Sequence, residues 1–140
     1  MRTLFASAMI AALLPLDASA QSFRAENFLD VVPLSGTTFE VIEANGEGPR
    51  GIWCAAADYA SKRLGYYDRI YIREGRGPSR SVAGRKAVAF TTDASSLPQG
   101  PSQSYSLTTS QVGVGLPANH AIQFCRIDDY ELSGISFRLK

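Results

Sequence analysis

Few side chains in this sequence are equipped for chemistry. Among 140 residues there is one histidine, His120, and there are two cysteines, Cys54 and Cys125. His120 alone has an unperturbed pKa near neutrality, so acid–base work falls to it or to a perturbed carboxylate. Glu74 as base, Arg85 or Arg80 as phosphate holder and His120 as acid are the right types for cleaving a phosphodiester. Their spacing matches no motif for that reaction, and a surface or helix-terminus position beside Asn119 accounts for His120 better. The cysteines have two readings: a disulfide, or a thiol nucleophile with His120 as its base.

The N-terminus bears on that choice. Met1-Arg2 is followed by an apolar run over residues 4–16 and then by Ala18-Ser19-Ala20. A positive start, a short apolar stretch and small residues at the cut are the pattern of a secretory signal peptide. We therefore expect cleavage after Ala20, a mature domain over residues 21–140, and a periplasmic or secreted location. In an oxidising compartment two cysteines pair, and the thiol mechanism loses its support. A loop of 71 residues closed by such a bond contributes about 4 to 5 kcal/mol in the chain-entropy treatment. Two cysteines and one histidine do not make a Cys/His zinc site, and Cys-x-x-Cys-His for haem is absent, so no metal or cofactor is expected. No second apolar run reaches the ~18 residues of a spanning helix.

Charge is the remaining chemical signal. The net formal charge is +1, but it is spread unevenly. Residues 62–86 carry eight cations against Asp68 and Glu74, while residues 21–61 carry six acids against Arg24 and Arg50. Arg73, Arg76, Arg80, Arg85 and Lys86 crowd a stretch containing Gly75, Gly77, Pro78 and Gly84, which reads as a surface loop. Such a loop suits an anionic glycan, a lipid headgroup, nucleic acid or an acidic protein surface. The competing reading folds it over the acidic segment of the same chain. Tyr66, Tyr67 and Tyr71, near Arg69 and Arg73, form an aromatic–basic patch able to stack on a sugar or a base. Weaker patterns carry little. Glu40 and Glu43 sit on opposite faces of one strand, and Asp128, Asp129 and Glu131 lack the spacing of a calcium loop.

These side chains need a frame. Pro49 at a first helical turn and Gly65 just past the end bracket a helix over about 50–64. Trp53, Ala56, Ala57, Ala60 and Leu64 share its apolar side; Cys54, Asp58 and Lys62 share another. Asp58 precedes Lys62 by four, worth a few tenths of a kcal/mol. Arg69-Ile70-Tyr71-Ile72-Arg73 alternates strictly, and Ala87-Val88-Ala89-Phe90-Thr91 is its mate in a hairpin. Phe39 to Ala44 reads as a half-buried strand with Phe39 and Val41 inward. Residues 104–111 read as a polar edge strand, residues 130–140 as a last strand, and residues 117–125 as a short helix. The first few residues after position 20 read as a loose terminus, and the apolar cluster of Val31, Val32 and Leu34 as docking on the body. The whole is α+β: one main helix packed on an antiparallel sheet of four to six strands, with a second short helix near Cys125.

The stretch Gly51-Ile52-Trp53-Cys54-Ala55-Ala56-Ala57-Asp58-Tyr59-Ala60, taken with the Arg69-Ile70-Tyr71-Ile72 strand and Phe124-Cys125, resembles small uncharacterised secreted proteins of Gram-negative bacteria. The resemblance spans about residues 37–127. It implies a periplasmic home and a Cys54–Cys125 pair, and it brings no activity with it. The sequence thus points to a non-catalytic periplasmic protein that engages an anionic partner through the loop at residues 73–86. The alternatives are a nuclease-like hydrolase using Glu74, Arg85 and His120, and an inhibitor or immunity-type protein presenting that loop to a target.

Overall fold

The helix bounded by proline and glycine forms as those residues dictate. In the computed structural model, which describes residues 21–126, α1 runs Pro49–Leu64 with proline in the first turn. Gly65 ends it in the left-handed conformation (φ 61°), and its N–H bonds back to the Ala60 carbonyl. That backbone geometry strains any side chain, which is why glycine is there. The strands are β1 (Phe23–Arg24), β2 (Asp30–Pro33), β3 (Thr38–Ile42), β4 (Arg69–Pro78), β5 (Lys86–Thr91) and β6 (Gly115–Pro117). They form one antiparallel sheet in the order β1-β2-β3-β5-β4-β6. The fold is the α+β arrangement, with the short helix α2 (Ala118–Ala121) running into a 3-10 turn at Ile122–Cys125.

The core lies between α1 and the inner face of the sheet. Register places Phe39, Phe90 and Ile72 abreast, with Val41 and Val88 beside them, and all five are fully buried. Trp53 meets Phe90 edge-on at 4.9 Å, and Tyr59 packs against Phe39 at 4.5 Å. Ala55, Ala56, Ala57 and Ala60 are fully buried, so the helix backbone lies close to its neighbours. The disulfide joins Cys54 to Cys125 with Cα atoms 5.1 Å apart and ties α1 to the turn after α2.

Several expectations are corrected. The chain is fixed from Phe23 on: Phe23–Arg24 form β1 and Phe23 reaches the core, while Val31 docks on the body as expected, within the strand β2. Two-stranded pairing this short is supported by burial rather than by propensity. The polar side of α1 meets solvent only near its end, at Lys62, because residues 51–60 are all buried. The 26–27 turn and the segment at 118–125 cover its second side. Asp58 makes the expected pair with Lys62, Oδ1 lying 2.6 Å from Nζ, but it is wholly buried and its Oδ2 accepts the Glu26 N–H at 2.8 Å. Residues 104–111 form no strand. They are an irregular segment held by Trp53 Nε1–H donating to the Thr108 carbonyl (2.8 Å) and by the Arg76 N–H donating to Thr109 (2.8 Å). The expected strand at 130–140, the acids at 128–131 and the leader at 1–20 lie outside the described residues. Among the described residues, no helix is long and apolar enough to cross a membrane.

Candidate functional site

The basic segment is more strand than loop. β4 continues through Gly75 and Gly77 to Pro78, accommodating the extra residues as register shifts between Ile72 and Glu74 and between Glu74 and Gly77. Such bulges admit glycine readily and bend the strand. At Gly75 a glycine is needed for closeness: a Cβ there would sit 2.4 Å from the Ser110 carbonyl oxygen. The true loop is therefore only residues 79–85, closed by the Ser79 N–H donating to the Arg85 carbonyl.

That loop is fixed to the body by a residue that alternation places outside. Glu40 does face the outer side of the sheet, opposite Ala89, yet it is 2% exposed because the loop folds over it. Its Oε1 accepts from Ser79 Oγ–H (2.7 Å) and from the Ser81 N–H (2.9 Å), and its Oε2 accepts from the Arg80 N–H (3.1 Å). Burial by itself raises the Glu40 pKa, but the hydrogen bonds from Ser81, Ser79 and Arg80 outweigh it and hold the carboxyl below its ordinary value. Ala87, Ala89 and Thr91 are buried on the same outer side.

A second acid braces the flanks. Glu43 takes a two-pronged bond from Arg76, with Nη2 at 2.7 Å from Oε1, and its backbone carbonyl accepts from Arg85 Nη2 at 2.7 Å. The Arg76 hydrogen bond and charge, with Lys86 nearby, hold the Glu43 carboxyl below its ordinary value, and the same bond raises Arg76. Arg80 forms a forked pair with Glu74 within the hairpin. Lys86 is exposed, and Arg73 is half-buried with no ion pair among the described residues. The positive hairpin thus lies against acids of the negative segment. Against its six cations (Arg69, Arg73, Arg76, Arg80, Arg85 and Lys86) stand three acids, Glu74, Glu40 and Glu43, a balance of three positive charges; the ion pairs are Arg76–Glu43 and Arg80–Glu74.

The hydrolase set is not brought together. His120 is exposed on α2, edge-on to Phe124 at 5.8 Å. The helix begins with the Ala118 N–H bonded to the Asp68 carbonyl, at the start of β4. Arg85 sits at the far end of that strand, opposite Ser79. The ten residues of β4, at about 3.3 Å each, separate the two ends by roughly 30 Å. Glu74 is held by Arg80, not by Arg85. Both cysteines are in the disulfide, so neither is a nucleophile. Among the described residues no group of three or more His, Cys, Asp or Glu side chains gathers to hold a metal ion.

Sequence reasoning missed Glu40 and Glu43 as anchors of the loop. The signal available was small: serines alternate with Arg80 at the loop's start, and their hydroxyls and amides suit a carboxylate. The aromatic–basic patch is divided. Tyr66 Oη–H turns inward to the Arg69 and Thr92 carbonyls, whereas Tyr71 and Arg69 stay on the outer side. Compared with protein-family models, curated proteins and solved structures, the chain matches none.

Proposed function

We propose that this is an exported, non-catalytic binding protein whose recognition element is the β4–β5 hairpin end, presented to an anionic glycan, lipid or protein surface. The observation that carries the reading is the Glu40 anchor. A buried carboxylate with three donors from residues 79–81 shapes a cationic tip before any partner arrives. Preorganisation lowers the ordering cost of association. Arg80, Arg85 and Lys86 remain at the surface. Exposed ion pairs are weak, so their N–H groups are available to an incoming anion. The leader pattern at residues 1–20 and the disulfide favour export to an oxidising compartment. The inhibitor-type reading has one feature of its own: Val82, 37% exposed and two residues from Arg80, is the apolar side chain that the tip would offer to a partner.

The test is retention on a sulfated polysaccharide matrix over a salt gradient, with Arg85→Gln/Lys86→Gln as the variant. The wild type should be retained and elute earlier as salt screens the contact, and the variant should elute earlier still. Equal retention of the two, or a wild type indifferent to salt, would remove the hairpin as the binding element.

A further inference from the structure

A groove lies on the other half of the outer face, away from the hairpin end. We propose that the groove between the start of β4 and residues 101–105 binds an acidic sugar, with Arg69 taking the carboxylate and tyrosines taking the ring.

The groove has a volume of about 240 Å³ and is lined by Arg69, Tyr71, Ser102, Gln103, Ser104 and Tyr105, with Pro101 at its rim. That is a little below the ~300 Å³ at which drug-sized sites begin, a scale suited to a small ring system. Tyr105 is 89% exposed, the most exposed large apolar-bodied side chain among the described residues. A tyrosine gives an apolar ring for the C–H face of a sugar and a hydroxyl for its oxygens.

The floor is built rather than accidental. Tyr71 pairs with Gly115 across β4 and β6. A Cβ at Gly115 would sit 2.5 Å from Tyr71 Cδ1 and 3.1 Å from Arg69 Cγ. The absence of a side chain there lets the ring and the arginine stem lie side by side over β6. Arg69 Nη1 donates to the Gly115 carbonyl at 2.6 Å, which fixes the guanidinium and leaves its other N–H groups unclaimed among the described residues. The wall is fixed as well, by the Ser102 N–H donating to the Gly113 carbonyl at 2.9 Å. Ser102 Oγ accepts from the Ser104 N–H and Ser104 Oγ from the Ser106 N–H, so both hydroxyl protons are available to a ligand.

Charge selects the ligand. The lining has one guanidinium and no carboxylate. A planar arginine recognises a carboxylate with two parallel hydrogen bonds. Single-stranded nucleic acid also stacks on tyrosine, but it needs a cationic track along successive phosphates. A single cation in a short groove favours one acidic sugar.

The test is an amide-shift NMR titration of the disulfide-bonded protein with glucuronic acid, with glucose and with a short single-stranded oligonucleotide. Glucuronic acid should shift the amides of residues 69–71 and 102–105. Arg69→Gln should weaken it roughly tenfold or more, as loss of a charge-assisted bond does, and Tyr105→Ala should weaken it roughly tenfold through lost stacking. Tyr105 is exposed, so its variant folds normally and keeps the test valid if Arg69→Gln does not fold. Glucose binding as well as glucuronic acid would refute the role of Arg69. Preferential binding of the oligonucleotide, or no shifts in the groove, would overturn the site. Arg85→Gln/Lys86→Gln should leave these shifts unchanged, which separates this site from the hairpin end.

Discussion

Glu40→Ala is the substitution whose outcome the structure specifies most fully. It removes the acceptor of three donors: Ser79 Oγ–H, the Arg80 N–H and the Ser81 N–H. A hydrogen bond to a charged group is worth ~1.5–3 kcal/mol, but these donors regain water once the tip lifts from the sheet. The loss should therefore fall well short of the sum, at about 3 kcal/mol, lowering Tm by about 10 °C for a domain of this size. Glu40→Gln retains Oε1 for Ser79 and Ser81 but turns an N–H toward the Arg80 N–H, and should cost ~1–2 kcal/mol.

The pH dependence follows from the direction of the shift. The folded carboxyl titrates below its ordinary value of 4.5. Its contribution is present above that value and is lost as pH falls through the lower folded value. The wild type should thus exceed Glu40→Gln at pH 7, and the gap should shrink at about pH 3. The Glu43 carboxyl is also held below 4.5, so the difference between the two proteins, not the wild-type curve, isolates Glu40. Urea unfolding at both pH values and amide exchange at residues 79–82 are the assays. A loss under ~0.5 kcal/mol for Glu40→Ala, the size of an ordinary surface change, with unaltered exchange, would refute the reasoning.

Three further outcomes follow from local geometry. Reducing the disulfide, or Cys54→Ser with Cys125→Ser, should lower the unfolding free energy by about 4 kcal/mol, measured in urea, because the bond closes a 71-residue loop. Gly75→Ala should cost ~1–3 kcal/mol, since its Cβ would press on the Ser110 carbonyl 2.4 Å away; an unchanged melting temperature would show that residues 109–110 move aside freely. Phe28 holds a left-handed backbone (φ 66°) while 68% exposed, so Phe28→Gly should raise stability by ~0.5–1 kcal/mol. A decrease would mean the ring contributes more than its backbone strain.

Much of the frame was legible because it is specified locally. Pro49 and Gly65 bracket α1, and the alternation of Ile70 and Ile72 with Val88 and Phe90 sets the central hairpin. What escaped is set by partners distant in sequence. Glu40 lies between Phe39 and Val41, where alternation puts it outside. Its burial comes from donors about forty residues further on. Asp58 is likewise buried by Glu26, 32 residues earlier. β1 and β2, of two and four residues, are too short for a periodic signal, and Pro33 argues against a strand except near an edge. The strand at Glu74–Pro78 was hidden by its glycines, which indicate a loop unless close packing, as at Gly75, requires them. The charge asymmetry was legible in full, but not its internal pairing, since Arg76 reaches Glu43 only through the register of β4, β5 and β3.

The most direct test of the account compares wild type and Glu40→Gln for affinity to a sulfated oligosaccharide at fixed salt, under conditions where both are folded. The substitution makes the protein more positive while loosening the tip. If a preorganised hairpin end is the recognition element, Glu40→Gln binds more weakly despite its extra net positive charge. Equal or tighter binding would show that charge alone governs the contact, and would contradict the role assigned to the Glu40 anchor.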